Sequence, residues 1–388
     1  MTKSDKLKKY GIYFAYLTCF TCMFSTALTS TFSILMVLCW ITSGAFKNLP
    51  EIINKNTITI IGIAFNVLLL IGVIYSPASM EMSFDFLKKY RILLFIPILI
   101  SLTEGNPNTG KNIVTALLLG YLLILANAYL VEFGLLEMNK LAFKRFTGGF
   151  HVIFAYLVLQ KIVTEKKYKI LWSTLFFIIS YDIFFTLQIR TGWLIFIALT
   201  TLFIFQHFSI KKQFIFYAAS FCLLIVVFNT SDIVQKRVDE TIQNLKSYDI
   251  KKKDSRTSIG LRLDWYQNSF ELIKEKPIFG YGTGAYQAAQ RKLLDKFSTA
   301  PTTEPHNEFL LTTVQIGFVG LAIFLALFID PLLRSFRLIR LKKNAQAYAL
   351  QATILFLFLG CLLNSWLLAT VPSHIFFFLI VAFYPIRE

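Results

Sequence analysis

Apolar residues come in long blocks along this chain, and short basic clusters separate them. The blocks run for roughly 15–22 residues, close to the ~20 that cross a bilayer as a helix. None shows the alternating pattern of an outer-membrane barrel strand. A helix is the favoured element in lipid because it satisfies its own backbone groups. Twelve helices are predicted, near 10–26, 29–46, 57–76, 91–103, 112–133, 149–163, 170–188, 192–207, 214–229, 309–330, 347–367 and 373–386.

Between the ninth and tenth blocks the pattern changes. Residues 236–247 (KRVDETIQNLKS) predict a short polar helix, and residues 261–274 (LRLDWYQNSFELIK) a second. Leu261, Trp265 and Leu272 fall close to one face of the second, which can pack on the embedded body. Residues 251–258 (KKKDSRTS) form a charged turn between them. Residues 277–286 (PIFGYGTGAY) form a Gly-rich turn whose spacing is not that of a dinucleotide fingerprint. The expected organisation is helices 1–9 over residues 1–229, a large loop over 230–308, and helices 10–12 over 309–388.

Composition agrees with this pattern. Of 388 residues, 56% are hydrophobic and only 16% charged, too little polar surface for a soluble chain of this length. The net charge of +17 is a topology signal rather than a nucleic-acid signal, because Lys and Arg sit between the apolar blocks and no basic tail or RNA-binding motif is present. With the N-terminus inside, inner segments hold nineteen Lys and Arg and short outer segments seven. The remaining thirteen lie in the long loop, to which the positive-inside rule does not apply. Both termini are therefore expected inside and the loop outside. The first block reads as a retained span, not a cleaved signal. All five cysteines fall in apolar segments, and the C-x-x-C of Cys19 and Cys22 has no partner pair that would suggest a metal.

Three residues stand out for chemistry. Arg190, in QIRTGWL, lies at the outer junction of two apolar helices, a costly place unless it faces water or an anion. Arg262 lies on the second loop helix, and His306, in EPHNEF, immediately precedes an apolar helix. Each has a plainer reading: a snorkelling arginine that sets helix depth, a solvated loop arginine, an ordinary residue at a helix start. Asp182 inside a span is a secondary candidate, and a structural hydrogen bond would explain it equally well. His151 and His374 also lie near outer helix ends. Asp239 and Glu240 read as a solvated face. No metal-ligand cluster is visible in the sequence.

The stretch from His306 to Gly320 reads H-N, nine residues, G-x-x-G, and Arg190 to Leu194 reads R-x-x-x-L. Both resemble motifs of the O-antigen ligase family, within a wider group that includes O-antigen polymerases and protein O-oligosaccharyltransferases. The arginine helix and P-x-x-G-x-G-x-G turn of Ile259–Tyr286 are similar to this group too. The resemblance implies an all-α, GT-C-like polytopic membrane protein of about twelve helices with a partly helical periplasmic loop. It implies a bacterial inner-membrane glycosyltransferase working on the periplasmic face without a metal or cofactor. Its partners would be an undecaprenyl-diphosphate-linked glycan as donor, lipid A–core as acceptor and membrane lipids, with no nucleic acid.

Residue chemistry agrees. A diphosphate leaving group gathers negative charge, and arginine holds phosphate oxygens bidentately with a permanent charge. Arg190 and Arg262 are the expected diphosphate ligands. Histidine, with an ordinary pKa of ~6.5, suits activation of an acceptor hydroxyl, so His306 is the expected catalytic residue, with Asn307 beside it as a secondary site residue. A polymerase or protein-glycosylating relative is the nearest alternative. A lipid-linked glycan transporter would instead show repeated halves and charges near the bilayer midplane.

Overall fold

The computed structural model describes residues 2–139, 141, 149–187, 189–247, 257–292 and 301–385. Lys140, Lys144, Arg145 and most of the charged turn at 251–258 lie outside the described residues. Among those described there is no strand, and the chain is an all-α polytopic membrane protein.

The helices are α1 (Lys3–Thr21), α2 (Thr26–Thr42), α3 (Leu49–Lys55), α4 (Thr57–Ile74), α5 (Met80–Tyr90), α6 (Phe95–Thr103), α7 (Thr109–Glu132), α8 (His151–Thr164) and α9 (Lys169–Tyr181). A π-turn at Asp182–Thr186 follows, then α10 (Arg190–His207), α11 (Ile210–Thr230), α12 (Asp232–Ser247), α13 (Ser258–Glu275), α14 (Tyr286–Arg291), α15 (Glu308–Arg340), α16 (Asn344–Leu363) and α17 (Thr370–Phe383). Among the described residues, six helices are long and apolar enough to cross a membrane. Joining α2 to the segment beyond its 80° bend, which ends with α3, makes a seventh. The other apolar blocks become shorter or more polar helices. α8 and α17 have 14 residues each, about 21 Å against the ~30 Å of a bilayer core. α6 has nine, and α1 opens with the charged KSDKLKK. α11 is the opposite case: no residue of its apolar window is fully buried, although one side meets α10, where Tyr217 Oη donates to Thr201 O at 3.3 Å.

Both predicted loop helices form, as α12 and α13. On α13, Leu272 is fully buried, in a small core with Phe86 of α5, Tyr281, Tyr286, and Leu311 and Val314 of α15. Trp265 is partly buried and Leu261 likewise. The expected face thus packs fully only at Leu272, beside the buried Gly260, Asp264, Asn268 and Ser269, and the helix docks on α15.

The Gly-rich turn anchors the loop by an unexpected route. α15 is broken at Ile316 (φ −128°, ψ 19°) and Gly317 (φ 66°, ψ −168°). The break frees carbonyls on one side and N–H groups on the other. Tyr281 and Gly282 donate to the carbonyls of Val314 and Gln315 at 2.9 and 2.7 Å. Phe318 and Val319 donate to those of Pro277 and Ile278 at 2.8 and 3.4 Å. Unmet, such buried groups would cost about 1–3 kcal/mol each. The same turn reaches α4, where Thr283 N–H donates to Gly72 O at 3.1 Å and its hydroxyl to Leu69 O at 2.6 Å. The G-x-x-G of the sequence is thus a helix break. Gly317 adopts a backbone region open essentially to glycine alone, and Gly320 leaves room for the Ile316 side chain.

This geometry makes Gly317 the most sensitive glycine to test. A Cβ there would collide with the Ile278 carbonyl, whereas one at Gly105, also at positive φ, meets open space. Gly317→Ala is expected to lower the thermal unfolding midpoint of the detergent-purified protein well beyond Gly105→Ala, whose strain alone costs about 1–2 kcal/mol. Equal shifts for the two variants would mean that the break is not under this constraint.

Candidate functional site

His306 sits just before α15 with φ 54°, a left-handed backbone that costs a side-chain-bearing residue about 1–2 kcal/mol. Contacts from two other elements hold it there. Its carbonyl accepts from Tyr266 Oη at 3.4 Å, and its ring lies 5.3 Å, centroid to centroid, from Trp265. Its Nδ1 is 2.9 Å from Asn364 Oδ1, in the connection between α16 and α17. Asn364 Oδ1 also accepts the Ser365 N–H at 2.9 Å, which identifies that atom as the oxygen. His306 Nδ1 must then be the donor, and the lone pair is on Nε2. Glu304 Oε1 stands 3.9 Å from the same Nδ1.

The Asn364 connection is itself pinned. Glu308, fully buried in the first turn of α15, accepts from Leu367 N–H at 2.9 Å and from Cys361 Sγ at 3.1 Å. Asn307 caps α15, accepting from Leu310 N–H at 3.1 Å. The H-N-E run thus divides its work: His306 faces the site, while Asn307 and Glu308 hold the helix start and the neighbouring connection.

Arg262 lies on α13 three and four residues before Trp265 and Tyr266, so all three share one face. That face meets His306. Among the described residues no ion pair to Arg262 occurs. Arg190 is the first residue of α10, and its Nη2 is 3.1 Å from Glu240 Oε2. Arg237 Nη1 reaches the same oxygen at 3.0 Å. The expectation that Asp239 and Glu240 form a plain solvated face is corrected for Glu240, which ties α10 to α12. Arg190 and Arg262 therefore belong to the adjoining elements α10, α12 and α13, without touching one another.

Asp182 opens the π-turn, wholly buried, with Oδ2 4.0 Å from His151 Nδ1. His151 Nδ1 is also 3.4 Å from Tyr121 Oη. Asp182 and His151 thus form a polar knot between α7, α8 and the π-turn, apart from His306's contacts. Among the described residues, no group of three or more His, Cys, Asp or Glu is placed to hold a metal ion.

Residues 175–325 match the family model described as O-antigen ligase. That segment is similar to the O-antigen ligase family. A Haemophilus influenzae protein, described as uncharacterized, is 28% identical over 311 residues, covering 74% of this chain and 72% of its own. The family's members are glycosyltransferase-like enzymes. The matched segment contains Asp182, Arg190, Arg262, His306, Asn307 and the break at Gly317. Asn364 lies beyond it and had no signal in the sequence, because only the fold brings it across 58 positions to His306. Arg237 and Glu240 were hidden similarly, each reading locally as one charge on a polar helix.

The Arg237 hydrogen bond, partly offset by burial and reinforced by Arg190, holds the Glu240 carboxyl below the usual glutamate value. A carboxyl whose folded pKa is depressed stabilises the fold above its unfolded value of ~4.3, and that contribution is lost as pH falls through the folded value. A spin label at Gln243 on α12 should therefore gain mobility as acidification passes below the ordinary glutamate range. In Glu240→Gln it should already be mobile at neutral pH and show no acid step. An unchanged acid step in that variant would assign the transition to another group.

Proposed function

We propose that this protein is an O-antigen ligase, transferring a glycan from undecaprenyl diphosphate to lipid A–core at the periplasmic face of the inner membrane. The observation that carries the reading is His306, with Nδ1 occupied by Asn364 and Nε2 bearing the lone pair, beside the face of α13 that presents Arg262. The nineteen-to-seven charge bias supports residues 230–308 facing the periplasm, where both substrates are found.

In this mechanism the acceptor hydroxyl oxygen attacks the anomeric carbon of the donor glycan. The bond from that carbon to the phosphate oxygen breaks, and its electron pair leaves with undecaprenyl diphosphate. The acceptor proton passes to His306 Nε2. Arg262 and Arg190 hold the diphosphate as its charge grows, with donors already oriented before reaction. Glu240 occupies Arg190 at rest, and its oxygen between Arg190 and Arg237 is the position a phosphate oxygen can take. Two arginines carry the charge that a divalent cation would otherwise carry, so no metal is required.

The test is single-turnover transfer with purified undecaprenyl-diphosphate glycan and lipid A–core, in excess EDTA, across roughly pH 5–9. Arg190→Ala and Arg262→Ala should lose on the order of 10²–10³ in rate, and the lysine variants less. His306→Ala should lose ~10²–10⁴ in rate. Near-parent rates in His306→Ala would remove the histidine from the mechanism. Activity that fails in EDTA and returns with magnesium would refute the arginine-only account. Chain growth on a second lipid-linked glycan, without transfer to lipid A–core, would make the protein a polymerase.

A further inference from the structure

A groove of about 680 Å³ opens between α2, the end of α5, the start of α6 and α17. None of the arginines assigned above lines it. Its chemistry is graded along its length. At one end lie Lys88, Lys89 and Arg91, with hydroxyls including those of Thr26, Ser30 and Thr370. Further along α2, α6 and α17 the walls turn apolar, with Val37, Leu38, Phe95 and Phe377. Among the described residues lining it there is no carboxylate. Asp85, outside the lining, pairs with Lys88 at 3.2 Å, and both side chains are more than half exposed. From Thr26 to Leu38 is about 18 Å along the helix, close to one leaflet's share of the ~30 Å bilayer core.

Three of the seven cations in short outer segments are gathered here, against the bias that clears such residues from that side. The groove also adjoins the proposed site. Asn364 holds His306, and Leu368 of the same connection lines the groove. Arg262 lies on α13, whose Trp265 and Tyr266 touch His306, whereas the groove cations arrive on and just after α5. The two cationic sets thus lie on separate elements, which suits a transfer between two phosphate-bearing lipids.

We propose that this groove binds the acceptor glycolipid: the phosphate groups of its lipid A head on Lys88, Lys89 and Arg91, its acyl chains along the apolar half. The acceptor role rests on the ligase reading above; the binding does not.

The test is photo-crosslinking from p-benzoylphenylalanine at Val37, with the full-length protein in nanodiscs. The probes are bis-phosphorylated lipid A, dephosphorylated lipid A, phosphatidylglycerol and undecaprenyl diphosphate, each titrated and read by mass spectrometry. Lipid A should form the adduct at the lowest concentration. Removing its phosphates, or combining Lys88→Gln, Lys89→Gln and Arg91→Gln, should weaken it roughly 100-fold. Lys88→Arg with Arg91→Lys should keep it, and so should Arg262→Ala, whose cation serves the donor. If the triple variant fails to fold, dephosphorylated lipid A against the parent protein still decides. Equal adducts from phosphatidylglycerol would show a general anionic-lipid surface and overturn the proposal. A preferred adduct from undecaprenyl diphosphate would make the groove a donor site and overturn it too. Lipid A binding here in a protein that performs no transfer would uphold the groove and remove the ligase reading alone.

Discussion

The structure depends on backbone satisfaction at one helix break. In lipid or a dry protein interior, a broken helix leaves carbonyls and N–H groups that no water can meet. α15 breaks at Ile316–Gly317, and a segment of the long loop before it supplies the missing partners in both directions. A loop that might otherwise hang from the membrane body is thereby fastened to it by main-chain hydrogen bonds. Because Thr283 of the same turn also donates to Leu69 and Gly72 of α4, one short segment joins two spans to the loop helices.

That attachment sets the site. With the turn docked, α13 lies across the start of α15, and Trp265 and Tyr266 close on His306. From the opposite direction, Glu308 fixes the α16–α17 connection so that Asn364 meets the imidazole. Each restraint acts on a residue whose own backbone is unfavourable. Such strain persists only where the surroundings over-determine the conformation, and it concentrates at functional positions. A nitrogen with its lone pair directed away from Asn364 is the result.

Charge is distributed by a second constraint. Cations mark two separate places in the fold. Arg190 and Arg262 belong to the elements around the loop, and Lys88, Lys89 and Arg91 to the groove beyond the Asn364 connection. In the groove these cations share the walls with apolar side chains such as Val37, Phe95 and Phe377.

Much of this was legible in the residues themselves. Block length and composition are local quantities, so the all-α membrane class and the two loop helices follow from them, and so do the burial of Leu272 on α13 and the singling out of Arg190, Arg262 and His306. What the sequence left open are relations between distant positions. Nothing near Asn364 marks it as the partner of a histidine 58 positions away, and nothing near Glu240 marks it as the tie to Arg190, 50 positions away. The G-x-x-G showed two glycines but not that the helix breaks there, because the break is stable only when another segment's backbone fills it. The true lengths of α6, α8 and α17 were likewise set by packing, since an apolar run says that a segment leaves water, not how far it stays helical. Periodicity and composition act within a segment and are written in it; hydrogen-bond partners and the tautomer of a histidine arise between segments, and only the folded chain decides them.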